Sequence, residues 1–70
     1  MFTICGRTLD EEGDVANIAV ARCKFERRND AVSYLDKLTQ LLRPDAGYET
    51  EQGYWWVRNH GSVTRYTIQP

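Results

Sequence analysis

The chain has 70 residues, a formal net charge of −1 at pH 7 and 41% hydrophobic residues. This length predicts one small domain over residues 1–70 with a thin core, since such a chain buries only about 60% of the surface that its unfolded form exposes. The near-neutral charge argues against a strongly basic nucleic-acid binder, and no apolar run approaches the roughly 20 residues of a membrane span. We therefore expect a soluble, cytoplasmic protein.

The first predicted element is a β-strand over residues 1–9, because the segment is rich in β-branched and aromatic side chains. A polar turn follows at residues 10–14, where acidic side chains surround a glycine. The alternating acids resemble a calcium loop. However, the glycine stands before the third acid instead of after it, and Ala21 occupies the place of the bidentate glutamate. We therefore expect a solvated turn and no metal site.

Residues 15–25 are ambiguous, since a short apolar run fits either a strand or a helix. A helix capped by Asp14 would scatter Val20, Arg22 and Phe25 around its circumference. A strand would have one consistent inward face and one solvent-exposed face, so we favour the strand. The predicted inward face consists of Ala19, Ala21, Cys23 and Phe25.

The two cysteines, Cys5 and Cys23, each lie in an apolar run. A disulfide between them is one alternative, but we expect no signal peptide that would lead to an oxidising compartment. Buried free thiols are the favoured interpretation. With the single histidine, the cysteines cannot supply the four ligands of a typical zinc site.

The clearest predicted element is the helix that follows. Asn29 or Asp30 is its expected N-cap, and Pro44 ends it. Apolar residues recur at helical spacing, so this stripe is expected to cover one face of a sheet. The stripe consists of Ala31, Tyr34 or Leu35, Leu38, and Leu41 or Leu42.

The segment after residue 53 contains both tryptophans and no Asp or Glu. Two β-rich runs, at about 54–59 and 62–69, flank His60–Gly61 and predict an antiparallel hairpin. A short strand at 48–51 and a Gln52–Gly53 turn precede it. The predicted order is therefore β-β-α-β-β-β. It indicates an α+β fold, with a single antiparallel sheet of about four to five strands and one helix packed on one face.

The hairpin register decides which side chains share a face, because a slip of one residue moves every side chain to the other side. A two-residue His60–Gly61 loop pairs Trp56 with Arg65 and Trp55 with Tyr66. A three-residue loop starting at Asn59 would mix the two faces, so we favour the shorter loop. The face expected to meet the helix carries Trp55, Val57, Thr64, Tyr66 and Ile68. The other face, expected to lie open, carries Tyr54, Trp56, Arg58, Val63, Arg65 and Thr67.

The candidate binding residues are Tyr54, Trp56, Arg58 and Arg65. Tryptophan, tyrosine and arginine dominate the energetics of protein interfaces, so our first hypothesis is a non-enzymatic module that binds a protein partner or a second copy of itself. The alternative is single-stranded nucleic acid, bound by the same face. Its further phosphate contacts would come from Arg22, Lys24, Arg27 and Arg28. A structural interpretation is a cross-strand cation–π pair between Trp56 and Arg65.

No sequence pattern predicts catalysis. His60 is the only candidate general base, and we expect it to be exposed in a tight turn while the cysteines lie inside. The glycines are dispersed and form no phosphate-binding loop. We therefore expect no enzymatic activity and no cofactor.

Overall fold

A computed structural model describes the backbone of residues 1–70 and the side chains of residues 1–20 and 24–70. Over these residues, a five-stranded antiparallel sheet carries a single helix on one face, which confirms the predicted α+β class. The predictions for the side chains of Ala21, Arg22 and Cys23 lie outside the described residues. Within the described part of the chain, no helix is long and apolar enough to cross a membrane.

The elements follow one another in the predicted order, and residues 15–25 form a strand. They are β1 (Phe2–Leu9), β2 (Val15–Phe25), α1 (Arg28–Leu41), β3 (Ala46–Glu49), β4 (Tyr54–Asn59) and β5 (Ser62–Gln69). The strands lie side by side in the order β2-β1-β5-β4-β3. The last strand of the chain therefore lies at the centre of the sheet, with the first strand beside it.

The β4–β5 hairpin closes through the predicted two-residue turn. Asn59 pairs with Ser62, and the two residues between them have positive φ angles of 48° at His60 and 82° at Gly61. Such a turn matches the twist of the flanking strands. The predicted partners Trp55–Tyr66 and Trp56–Arg65 are confirmed. The two tryptophans consequently face opposite sides of the sheet.

The core lies between α1 and the adjacent sheet face. A buried cluster forms its centre, and partly buried side chains surround it. The cluster consists of Ile4, Ala31, Leu35 and Trp55, packed against Phe25, Val32, Leu38, Tyr66 and Ile68. The indole Nε1 of Trp55 donates a hydrogen bond of 2.9 Å to Asp36 Oδ1, and the Tyr48 ring centroid lies 4.7 Å from that of Trp55. Trp55 therefore connects the helix to β3 and β4.

The start of the helix differs from the prediction. The N-cap is Arg27, which makes no side-chain capping hydrogen bond. Asn29 and Asp30 both lie in the first turn, so the expectation that one of them caps the helix was wrong. The chain turns earlier because Arg27 is extended and its carbonyl accepts from the Asp30 N–H at 3.1 Å. Asp30 instead complements the positive end of the helix dipole.

The helix stripe and β3 are also displaced from their predicted positions. The buried helix positions are Ala31, Leu35 and Thr39. Leu41 is 83% exposed, because it is the last helical residue and lies about a third of a turn from the face that contacts the sheet. The Thr39 hydroxyl is tolerated inside because it donates to the Leu35 carbonyl at 3.0 Å. β3 begins two residues earlier than expected, since Ala46 is buried opposite Val57.

Replacing Trp55 by Phe should lower the free energy of unfolding by about 1–3 kcal/mol, because it removes a core contact and the hydrogen bond to Asp36. Trp56→Phe is the matched control, since Trp56 lies on the other face and is partly exposed. Urea unfolding followed by circular dichroism measures both variants. An equal or larger loss for Trp56→Phe would contradict the assignment of Trp55 to the core.

Stability should fall in strong alkali because of Tyr66. Burial, with a contribution from the negative charge of Tyr34, raises the pKa of the Tyr66 hydroxyl above its ordinary 10.0. The unfolded chain then loses this proton at a lower pH than the folded chain does, so the stabilisation is complete below about pH 10 and is lost above it. Urea unfolding from about pH 9 to 11 measures the slope. Tyr66→Phe should flatten it, and an unchanged slope would contradict this origin.

Candidate functional site

The open face is the side of the sheet that points away from α1. It consists of the alternate side chains of the three central strands. These are Cys5, Arg7 and Leu9 from β1, Val63, Arg65 and Thr67 from β5, and Tyr54, Trp56 and Arg58 from β4. The four candidate binding residues from the sequence therefore lie together on this face.

Trp56 lies against the backbone of its neighbouring strand. It pairs with Gly47 of β3, and a β-carbon added to Gly47 would lie 3.0 Å from Trp56 Cζ2. The missing side chain is what allows the indole to approach so closely, an arrangement in which an aromatic ring covers a glycine on an edge strand. The Arg58 guanidinium carbon lies over the same ring, 5.4 Å from its centroid.

Arg65 makes its cation–π contact with Tyr54. Its guanidinium carbon is 4.8 Å from the Tyr54 ring centroid. The sequence-based structural interpretation, a Trp56–Arg65 pair, is therefore replaced by two contacts, Trp56–Arg58 and Tyr54–Arg65. The reason is that Trp56 and Arg65 are paired through their Cα atoms, while the Arg65 side chain is long enough to reach the diagonal neighbour on β4.

Arg7 joins the site, although the sequence did not single it out. It pairs directly with Arg65 across β1 and β5, and both side chains are exposed. Opposite residues have Cβ atoms about 4.5–5.5 Å apart, and like charges at that separation are destabilising. The alternation of Cys5, Arg7 and Leu9 along β1 indicates that these three side chains share one face. It places Arg7 in the site only once β1 is known to pair with β5.

Two adjacent hollows lie on the open face. The larger, of about 620 Å³, contains both paired arginines and one aromatic ring, and it is lined in part by Arg7, Leu9, Val15, Tyr54, Arg65 and Gln69. The smaller, of about 350 Å³, shares Tyr54 and Arg65 with the larger one and adds Trp56 and Arg58, beside Asp10, Glu11 and Glu49. The site is therefore cationic in one hollow and of mixed charge in the other.

The acidic turn between β1 and β2 forms one rim of this face. Asp10 Oδ1 accepts hydrogen bonds from the backbone N–H groups of Glu12 at 3.0 Å and Asp14 at 2.9 Å. Glu11 lies against the hairpin turn, since a β-carbon added to Gly61 would lie 2.6 Å from Glu11 Oε1. Among residues 1–20 and 24–70, no group of His, Cys, Asp and Glu side chains could hold a metal ion.

The remaining basic and reactive residues lie away from the two hollows. Lys24 pairs with Thr3, at the opposite end of β1 from the acidic turn. Arg27 and Arg28 stand at the start of α1. Cys5 is a buried free thiol in β1, whereas His60 is exposed at the hairpin turn. Of the four cations proposed to assist nucleic-acid binding, the three whose side chains are described, Lys24, Arg27 and Arg28, are thus not gathered around the aromatic rings.

Comparison with known proteins supplies no further guide to the site: no protein-family model, no curated protein and no solved structure matches the chain. The functional interpretation therefore depends on the geometry of the open face.

Replacing Arg7 by Gln should raise the free energy of unfolding by about 0.2–1 kcal/mol, because it removes one of two like charges held on opposite strands. The gain should be larger at low salt, where screening is weaker. Lys37→Gln, on the exposed side of α1, is the control for losing one positive charge. Urea unfolding at two salt concentrations measures both variants. A loss of stability in Arg7→Gln at low salt would contradict the repulsion.

Proposed function

We propose that this protein is a non-enzymatic interaction module, and that its open face binds an extended segment of a protein partner through the carboxylates of that segment. The observation that carries the proposal is the direct pairing of Arg7 with Arg65 at the larger hollow. Two adjacent guanidinium groups repel each other in the free protein. A carboxylate between them would replace that repulsion with charge-assisted hydrogen bonds.

The stacked arginines favour this chemistry. Arg65 lies over Tyr54 and Arg58 over Trp56, and a guanidinium stacked on a ring keeps its N–H donors directed outward. The planar fork matches both oxygens of a carboxylate. Because the rings already restrict the arginine side chains, less conformational entropy is lost when a ligand binds.

The mixed charge of the two hollows defines the kind of partner. Carboxylates suit the larger hollow, whereas Asp10, Glu11 and Glu49 in the smaller one favour a neutral or basic continuation of the segment. Single-stranded nucleic acid fits less well, because its phosphates would meet these carboxylates. Its bases would also have to displace the guanidinium groups that lie over Tyr54 and Trp56.

The test is a titration of the protein with an extended peptide of about ten residues, long enough to cross the sheet, whose first half is acidic and second half neutral. We expect the arginine side-chain N–H resonances of Arg7 and Arg65 to shift in nuclear magnetic resonance spectra. Arg65→Gln should weaken binding about ten- to hundredfold, since it removes a charged hydrogen-bonding group. Lys37→Gln should leave binding unchanged.

Two further ligands identify what the face recognises. A peptide with Gln in place of each acidic residue should bind at least about tenfold more weakly. A short oligothymidylate should bind more weakly than the acidic peptide. Equal binding of the Gln peptide would contradict carboxylate recognition. Tighter binding of the oligonucleotide, with a steep loss of affinity in salt, would favour the nucleic-acid alternative.

A further inference from the structure

β2 is a long strand at the edge of the sheet. It spans 11 residues, and β1 is its neighbour in the strand order. Among the strands that the structure describes, none pairs with the backbone N–H and C=O groups on its outer side. Proteins usually protect such an edge by keeping it short or by placing charges on it. The opposite edge strand, β3, is protected by its short length of 4 residues. β2 is long, and its residues 15–20 carry no charge.

The same part of β2 exposes apolar side chains. Val15 is 53%, Ile18 58% and Val20 60% exposed. Ile18 pairs with Arg7, and Val20 pairs with Cys5, so both lie on the open-face side of the sheet. The helix does not cover this region, since all of residues 15–20 are exposed. Between the two register shifts in its pairing with β1, this apolar and uncharged edge is a template for the addition of another strand.

We infer that β2 pairs with β2 of a second copy of this chain, antiparallel and across a two-fold axis. With Ala19 at the axis, Ile18 lies opposite Val20 of the second copy, and Val20 lies opposite its Ile18. Directly opposed β-branched side chains stabilise strand pairs. The pairing joins two five-stranded sheets into one continuous sheet and satisfies the symmetry of a closed dimer.

The charges at the two ends of β2 select a second copy as the occupant. The acidic turn, which contains Asp10 and Asp14, precedes the strand, while Lys24, Arg27 and Arg28 stand at or just beyond its end. Antiparallel pairing places the acidic start of each copy against the basic end of the other. Parallel pairing would place like charges together. The edge is thus complementary to itself in one orientation, both in its apolar centre and in its flanking charges.

This dimer is independent of carboxylate binding. It uses the outer edge of β2, whereas the proposed ligand site uses Arg7 and Arg65 on the central strands. Because Ile18 pairs with Arg7, Ile18→Lys is used to test only the dimer, and Arg65→Gln tests only carboxylate binding. Failure of one proposal leaves the other intact.

Sedimentation velocity of the full chain tests the dimer at concentrations up to about 200 µM, where even a modest interface is populated. We expect a dimer for the unaltered protein and a monomer for Ile18→Lys, which puts a charge beside the axis. Leu41→Lys is the matched control, since Leu41 is 83% exposed on the helix and lies away from β2. It should remain dimeric. Circular dichroism checks that both variants are folded.

A charge exchange tests the orientation without altering the apolar centre. Asp14→Lys should weaken dimerisation about fivefold, and adding Lys24→Asp should restore it. A monomer for the unaltered protein, or a dimer that survives Ile18→Lys, would overturn the inference. So would a charge exchange that fails to restore association. If Asp14→Lys did not weaken the dimer, this antiparallel arrangement would likewise be excluded.

Discussion

The two-residue turn at His60–Gly61 sets the register of the β4–β5 hairpin, and the pairing of β5 with β1 continues the same two faces onto β1. Both turn residues have positive φ angles, which few residues other than glycine adopt without strain. A slip of one residue would exchange the two tryptophans between core and solvent. The core on one side of the sheet and the arginines of the open face on the other thus depend on the same backbone constraint.

The two faces of the sheet use their aromatic residues in different ways. Trp55 is 3% exposed and its one polar atom bonds to the helix at Asp36, so its surface is committed to holding α1 on the sheet. Trp56 rests on Gly47 and carries a guanidinium over its ring. Packing explains the first arrangement. On the open face, packing does not account for Arg7 opposite Arg65, because the free protein would be more stable without that pair.

Local patterns made much of this fold predictable, and long-range pairing accounts for most of what was not. The hairpin faces follow from alternation along β4 and β5 once the turn is known. The strand form of residues 15–25 follows from the position of Phe25, which packs at the core. The neighbour of β1 could not be read from local pattern, and so Arg7 was missed. The N-cap was wrong because an extended Arg27 starts the helix without a side-chain cap, which composition does not reveal.

The pairing of β1 with β5 brings the two ends of the chain together, with Thr3 opposite Gln69 at the same end of the sheet. These strands are the most distant in sequence, yet they are neighbours at its centre. Joining residues 1 and 70 by a short linker and opening the chain in the turn at residues 50–53 would make this contact local. The entropic cost of bringing β1 and β5 together would then fall, because fewer residues would separate them in the chain. Such a circular permutant would be expected to fold faster while keeping the same open face.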